Sequence, residues 1–259
     1  MSDATTLTCG TRMSVVPIRP KQTRSVEARE GVSDLVSALE FDILFGRLKP
    51  RERLVEDVLM QRFGAKRHAV RQALAELEHI GIVTREPNRG AAVRDFSARE
   101  VEEICELREI LQRRAAQRMP LPAEPALIAR LTEIQARHDK AVARRDPRAI
   151  DRANEEFHHA FFAACGSAHL AAAIEHYAYL TRAMRLYPLV TRELLERLRN
   201  EHWRMIEALK AADRKALMTL VVDHIQPSKR MYLEVRRGLT NSPPAPQGHK
   251  RTRTSAATG

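Results

Sequence analysis

The sequence predicts a mainly α fold in two parts, a small helical module that ends in a pair of strands and a larger all-α antiparallel bundle. Residues 31–95 contain short stretches with a helical apolar period, followed by two strand-like stretches on either side of turn-forming residues. Residues 96–237 repeat the helical period between breaks rich in Pro, Gly and Asp. Aromatic and β-branched runs are scarce there, which favours a helical bundle.

Both ends of the chain are predicted to lie outside these two parts. Residues 1–30 carry prolines and basic residues without a sustained period, and we expect a disordered N-terminal arm. Residues 238–259 have the composition of a disordered basic tail. The formal net charge is +11, which favours an anionic partner such as nucleic acid.

The cysteines and the hydropathy pattern indicate a cytoplasmic protein. The three cysteines are far apart and show no Cys-x-x-Cys spacing, which is typical of reduced thiols. No apolar run approaches the roughly 20 residues of a membrane span, and no N-terminal stretch has the pattern of a signal peptide. We therefore expect no membrane partner.

The first part has the pattern of three helices. Residues 32–48 hold a helical apolar period, with Ser33 as the expected N-cap and Gly46 as the expected stop. Two further helices are predicted at about 55–63 and about 66–80. A short helix, a glycine-containing turn and a second helix form the pattern of a helix-turn-helix.

Basic residues cluster where the second of these helices begins, directly after the turn at Gly64. They are Lys66, Arg67, His68 and Arg71. A recognition helix contacts DNA mainly through its N-terminal residues, and arginine is the commonest reader of guanine edges. The competing interpretation is a helical hairpin with a solvated basic face.

Two strand-like stretches, 82–85 and 91–94, are expected to pair as a ribbon, the wing of a winged helix-turn-helix. The residues between them supply the turn chemistry and one cation: Pro87, Asn88, Arg89 and Gly90. A wing with Arg89 at its tip would reach phosphates or a minor groove. The order of turn, basic helix start and wing favours double-stranded DNA as the partner.

Three predicted helices of the second part each place a histidine within an apolar face. Asn154 and His158 are four residues apart and share one face, whereas His202 and His224 lie on two other apolar stripes. Imidazole is the commonest protein ligand for transition metals, and bundle cores build such sites. From the pattern alone, a metal site and hydrogen-bonded core histidines both remain open. Three other histidines fit the stripes less well: His159, His169 and His176.

Residues 53–93 resemble the winged helix-turn-helix of GntR-type bacterial transcription regulators. Three motifs carry the resemblance: Leu-x-Glu at 54–56, Arg-x-x-Val-Arg-x-Ala-Leu at 67–74 and Pro-Asn-Arg-Gly at 87–90. Two departures stand out, because the family usually has Pro-Gly where this chain has Pro50-Arg51, and often Ser-Arg where it has Lys66-Arg67. We expect the first to alter a turn and the second to alter operator sequence or phosphate contacts.

Residues 97–236 resemble the FCD domain, the all-helical effector-binding half of the FadR-type GntR subfamily. The matching segments are EICELREILQRRAA (103–116), NEEFHHAFFAACGS (154–167) and EHWRMIEALKAADRKALMTLVVDHI (201–225). The resemblance implies a divalent transition metal, such as zinc, nickel or manganese, held by Asn154, His158, His202 and His224. Many members have Asp where this chain has Asn154, and a neutral amide oxygen is a weaker ligand.

The resemblance also implies a ligand-responsive regulator, and a repressor is expected. A small organic acid would bind the open positions of the metal with help from Arg108 and Arg185, for which surface ion pairing is the competing interpretation. A homodimer would bind a short palindromic operator. Two alternatives differ in function: a regulator whose signal is the metal itself or whose histidines are structural, and a metal-dependent hydrolase or lyase. Against the enzyme, no Glu or Asp is placed as a general base on the histidine stripes.

Overall fold

The computed structural model describes residues 26–86, 90–182 and 191–240, which form ten helices and three short strands. The first part consists of α1 (Val26–Leu44), β1 (Arg53–Leu54), α2 (Glu56–Phe63), α3 (Arg67–Ile80), β2 (Val83–Glu86) and β3 (Gly90–Val93). The second part consists of α4 (Ala98–Arg118), α5 (Pro125–Arg144), α6 (Pro147–Ala163), α7 (Ala168–Arg182), α8 (Arg192–Lys210), α9 (Arg214–Asp223) and α10 (Gln226–Thr240). The predicted fold class, a winged helix-turn-helix followed by an all-helical bundle, is confirmed.

The helix-turn-helix forms where the local signals predicted it. Gly64 ends α2 with φ 61°, a left-handed conformation that glycine adopts without strain. The next helix, α3, begins at Arg67 with Lys66 in extended conformation at the N-cap, and it ends at Gly81 with φ 93°. The apolar side of α3 packs against α1, and Leu39, Leu74 and Leu77 lie fully buried between them. This packing fixes the basic start of α3 on the surface.

The wing is a three-stranded antiparallel sheet of order β1-β3-β2. The predicted ribbon is present, with Val83 opposite Val93 and Arg85 opposite Ala91. The two-residue strand β1, which the sequence analysis did not predict, pairs with the outer edge of β3. Asn88 and Arg89 lie outside the described residues, and Gly90 begins β3 with φ 79°.

Three expectations about helix limits need correction. The first helix begins at Val26, within the segment predicted as an arm, so Ser33 lies inside α1 and is not its N-cap. The last helix continues to Thr240 and so includes the first three residues of the predicted tail, 238–240. Instead of about six helices, the described residues of the second part form seven, because α9 ends before Pro227. This proline has no backbone N–H to continue a helix, but it fits the first turn of a new one.

The bundle core is aromatic on α6 and aliphatic on α8 and α9. Phe157, Phe161, Met205, Ile206 and Leu209 are fully buried in it. The predicted breaks at 119–125, 144–148, 165–169 and 211–213 all separate helices, and the break at 187–188 lies outside the described residues. None of the helices within the described residues is long and apolar enough to cross a membrane.

The two parts of the chain touch where α7 meets the end of α3. Tyr179 packs against the core of the first part. A Cβ atom on Gly81 would lie 2.9 Å from Leu180 Cδ2 and 3.2 Å from Arg94 Nη1. The close approach and the left-handed φ both favour glycine at this position.

Replacing Gly81 by alanine is therefore expected to lower the free energy of unfolding by about 1–2 kcal/mol, mainly because an L-residue is strained at φ 93°. Gly31→Ala is the matched control, since Gly31 lies inside α1 with no atom near its missing Cβ. That change should raise stability by up to about 1 kcal/mol, because alanine favours helix. Urea unfolding followed by circular dichroism measures both, and shifts of the same sign would contradict the expectation.

Candidate metal centre and DNA-binding surface

Three histidines of the bundle converge on one point. His158 lies on α6, His202 lies on α8 and His224 follows the last residue of α9. Their Nε2 atoms form a nearly equilateral triangle, with separations of 3.2 Å (158 to 224), 3.3 Å (158 to 202) and 3.2 Å (202 to 224). Three nitrogen ligands of a tetrahedral zinc ion, each at about 2.05 Å, stand about 3.3 Å apart. The triangle therefore has the dimensions of a metal site.

Two buried acceptors orient the ring nitrogens. His202 Nδ1 lies 2.9 Å from Gln135 Oε1, and His224 Nδ1 lies 2.8 Å from Glu201 Oε2. An amide or carboxylate oxygen accepts a hydrogen bond, so both Nδ1 atoms carry the proton. In the neutral rings, the Nε2 atoms of His202 and His224 then carry no proton, and their lone pairs point at each other. Without a shared cation this arrangement is repulsive, so the donor set fits a divalent metal.

The acceptor Glu201 is itself held as a carboxylate. Burial opposes its ionisation, but hydrogen bonds from His224 and Arg197 outweigh that effect and hold the pKa of the Glu201 carboxyl below its usual range. The hydrogen bond to this carboxylate makes the imidazole of His224 a more basic ligand through Nε2. Sequence analysis identified neither Glu201 nor Gln135, and Gln135 lies on another helix and carries no motif.

Asn154 lies one turn before His158 on α6 and lines a cavity of about 60 Å³ beside the triad. Its Nδ2 atom lies 3.3 Å from Glu155 Oε1 and donates to it. The cavity also has apolar walls, formed by Ile150, Leu194, Leu195, Leu198 and Met231. The cavity wall therefore combines polar and aliphatic side chains.

Of the two arginines predicted to assist a bound acid, Arg108 lines this cavity. Its Nη1 atom donates to Thr181 Oγ1 at 2.7 Å, so the guanidinium is held inside the bundle. Arg185 lies outside the described residues. The described wall thus combines one guanidinium with two members of the histidine triad, His158 and His224.

A fourth histidine, His138 on α5, also lines the cavity, although sequence analysis did not single it out. It is 3% exposed, its Nδ1 lies 3.4 Å from Gln135 Nε2, and its ring centroid lies 5.5 Å from that of His202. Burial lowers the pKa of His138 to about 4. His138 therefore presents a neutral ring to the cavity at neutral pH.

His138 is expected to make the fold acid-sensitive. Its pKa is about 4 when folded and 6.5 when exposed, so the unfolded chain binds more protons between these values. Stability present above pH 6.5 is lost as the pH falls towards 4, by about 3 kcal/mol at most. Urea unfolding in chelator at pH 7 and pH 5 should show a smaller loss for His138→Gln than for the wild type. The exposed His169→Gln should behave like the wild type, and equal losses in all three would refute the role of His138.

The predicted DNA-reading residues lie on an exposed surface at the start of α3. Lys66, Arg67, His68 and Arg71 are all exposed. Two carboxylates of α2 form ion pairs with Arg67 and Arg71. Asp57 lies 2.6 Å from Arg67 Nη2, and Glu56 lies 3.7 Å from both arginines. Exposed ion pairs are worth little, typically about 0–1 kcal/mol. These arginines can therefore exchange their partners for phosphates or base edges at low cost.

The wing is tied to the same helix. Arg85 on β2 donates from Nη2 to the carbonyl oxygen of Arg71 at 3.1 Å and pairs with Glu78 at 3.3 Å. Gly90 is exposed at the start of β3. The described part of the wing therefore has a fixed position relative to the basic start of α3.

Comparison with known proteins identifies both halves. Residues 32–93 match the model of bacterial regulatory proteins of the gntR family, and residues 103–227 match the model of the FCD domain. The chain belongs to the GntR family of bacterial transcription regulators, in the FadR-type group whose C-terminal half is an FCD domain. It is thus a DNA-binding transcription regulator from a non-enzymatic family, which argues against the hydrolase or lyase alternative.

Individual relatives agree with this assignment. The regulator YdhC of Bacillus subtilis (strain 168), an uncharacterised HTH-type protein, is 26% identical over 183 residues, which cover 70% of this chain and 82% of YdhC. The structure of E. coli McbR/YncC has a TM-score of 0.65 at 21% identity and covers 80% of this chain and 98% of its own. A GntR regulator from Rhodococcus sp. RHA1 has a TM-score of 0.65 at 20% identity, covering 79% of this chain and 98% of its own. These two structures support the fold.

Proposed function

We propose that this regulator is a homodimeric repressor whose operator binding is controlled by a divalent metal and a small carboxylate in the FCD domain. The observation that carries the proposal is the triangle of Nε2 atoms at 3.2–3.3 Å. Two of its members, His158 and His224, line a cavity that Arg108 also lines. Two of the ring nitrogens have lone pairs directed into the triangle. A cation resolves their repulsion and completes the site.

The residues that would hold the metal are His158, His202 and His224, with Asn154 as the fourth. Three neutral nitrogens and an amide oxygen suit zinc, nickel or manganese better than magnesium or calcium. The bound ion would supply open coordination positions for a carboxylate. The chain itself orients the imidazoles through Gln135 and Glu201 and keeps the site within the bundle.

The effector would be a carboxylate with a short apolar chain. Arg108 would pair with the carboxylate, and the aliphatic wall would bury the carbon chain, with a gain of about 0.8 kcal/mol for each buried CH₂ group. Arg185 would add a second cation for the carboxylate.

On DNA, the two DNA-binding domains of a dimer would each read one half-site of a palindrome. Base edges and phosphates would be contacted by the start of α3 and by the wing tip: Lys66, Arg67, His68, Arg71, Asn88, Arg89 and Gly90. The effector must bind one arrangement of the two DNA-binding domains better than another, because a ligand with equal affinity for both arrangements does not change their populations.

The experiment selects duplexes from a random pool with zinc-loaded protein and measures the Kd of the best duplex at two salt concentrations. We expect a palindrome, a strong salt dependence, and weaker binding when short aliphatic monocarboxylates are added. Failure to enrich any sequence would overturn DNA regulation through this surface. A Kd that differs between metal-free and zinc-loaded protein in the absence of any acid would instead favour a metal-responsive regulator. No response to any acid would remove the carboxylate from the proposal.

Replacing Asn154 by aspartate is expected to tighten metal binding by at least about tenfold, since a charged oxygen replaces a neutral one. Competition with a chelating dye measures the affinity. Asn200→Asp adds the same charge on the exposed side of α8 and serves as the control. Equal gains in both variants would show that only the net charge matters, and no gain at Asn154 would remove this residue from the ligand set.

A further inference from the structure

Helix α10 lies between the cavity and the segment that joins the two domains. It begins at Gln226, two residues after the triad member His224. Ser228 and Met231 on one of its faces line the cavity. Tyr232 and Arg236 lie on the neighbouring face, since residues four apart share a side of a helix. One helix therefore contacts the candidate effector site through one face and the partners of Tyr232 and Arg236 through the other.

These two residues hold the linker. Residues 94–97 join β3 to α4, and Tyr232, which is 3% exposed, donates from its hydroxyl to the carbonyl oxygen of Phe96 at 3.1 Å. Arg236 Nη1 forms an ion pair with Asp95 Oδ1. The rings of Tyr232 and Phe96 lie in one small buried cluster, apart from the main cores of the two domains. The linker is thus fixed by side chains of the last helix.

The contact continues into the DNA-binding domain. The second oxygen of Asp95 accepts from Arg51 Nε at 2.6 Å, so one carboxylate bridges a guanidinium of each domain. Arg51 N–H donates to the carbonyl oxygen of Val93 at 2.9 Å, which places Arg51 on the wing sheet. Its φ is 68°, a left-handed conformation that costs a non-glycine residue about 1–2 kcal/mol. The pairing with Asp95 gives this strained residue a role that glycine could not fill.

We propose that Tyr232 and Arg236 are positioning residues, which fix the orientation of the DNA-binding domain through the linker, and that α10 carries changes at the cavity to this contact. The first half depends only on the contacts described above. The second half rests on the proposed function of the cavity. Movement of Ser228 or Met231 would shift Tyr232 and Arg236 with them, because a short helix moves as a rigid body.

The first test measures the distance between the domains in the full-length protein. Spin labels are placed on cysteines introduced at Ala75 in α3 and Glu133 in α5, both exposed, in a Cys9→Ser background. Cys105 and Cys165 are 2% and 1% exposed, so they should escape labelling. We expect the width of the distance distribution to roughly double in Tyr232→Phe/Arg236→Gln.

Two further variants make this test specific. Arg230→Ala removes an exposed arginine of the same helix and should keep the wild-type distribution. Arg236→Lys with Tyr232 intact keeps the positive charge and should recover most of the narrow distribution. Thermal melts confirm that each variant is folded. A double variant that is folded and as narrow as the wild type would overturn the positioning role.

The second test fills the cavity without any ligand. Ser228→Phe places a bulky ring on the cavity face of α10, and we expect the mean distance between the labels to shift. The same change in the Tyr232→Phe/Arg236→Gln background should not produce that shift. Equal shifts in both backgrounds, or none in the first, would overturn the transmission through α10. Operator affinity is measured separately on unlabelled wild-type protein, so failure of the proposed function remains distinguishable from failure of this inference.

Discussion

Replacing Arg67 and Arg71 together by alanine is expected to weaken operator binding by roughly a hundredfold or more. Each arginine that reads a base edge contributes about 1–3 kcal/mol of discrimination, and a phosphate contact adds salt-dependent affinity. Both side chains are exposed at the start of α3, where a recognition helix contacts DNA. Their partners Glu56 and Asp57 hold them only through exposed ion pairs, so little is lost when DNA replaces those carboxylates.

The matched control removes the same charge elsewhere. Arg99 and Arg192 are also exposed, and each pairs with a glutamate one turn later at 2.7 or 2.8 Å. The double change to alanine there should leave operator affinity within a few fold. Fluorescence anisotropy at several salt concentrations gives both Kd and the salt slope, which should fall by up to about 2 only in the α3 variant. Equal losses in the two variants would mean that net charge, not this surface, determines binding.

The structure shows why the start of α3 was predictable from the sequence. Its limits depend on Gly64 and Gly81, which end helices by local backbone geometry. Strand β1 was missed because two residues carry no period, and its partner β3 begins 36 residues after β1 ends. The start of α1 was also missed, since its weak amphipathic pattern gives no sign of continuing before Gly31. Prediction therefore succeeded where the determinant is local.

The histidine triad illustrates the same distinction. Each of the three histidines was found by its place on an apolar stripe, a property of its own helix. Gln135 and His138 on α5 were not found, because only the packing of α5 against α8 brings them to His202. The ion pairs of Arg51 and Arg236 with Asp95 in the linker could not be predicted either, since these residues are far apart in sequence and share no motif.

The variant His158→Ala/His202→Ala/His224→Ala is expected to bind no metal, whereas the wild type should carry about one ion per chain. Elemental mass spectrometry on protein purified without a tag or chelator measures the content. A second triple variant, with His159, His169 and His176 changed to alanine, removes the same number of histidines from exposed positions. It should keep the wild-type metal content. Added zinc should also raise the melting temperature of the wild type and of this control alone, since a ligand of the folded state stabilises it.

The absence of metal from all three proteins, even after incubation with zinc, nickel or manganese, would change the interpretation of the triangle. The Nδ1 atoms of His202 and His224 face the oxygens of Gln135 and Glu201. The Nε2 atoms of the two histidines would therefore still face each other with their lone pairs, at a distance of 3.2 Å. A proton on one of these rings would then have to occupy the place of the ion, or a donor group of an organic ligand would fill it. The amide of Asn154 in place of a carboxylate would explain the loss. In that case the histidines would bind the effector directly by hydrogen bonds, and Asn154→Asp should restore metal binding.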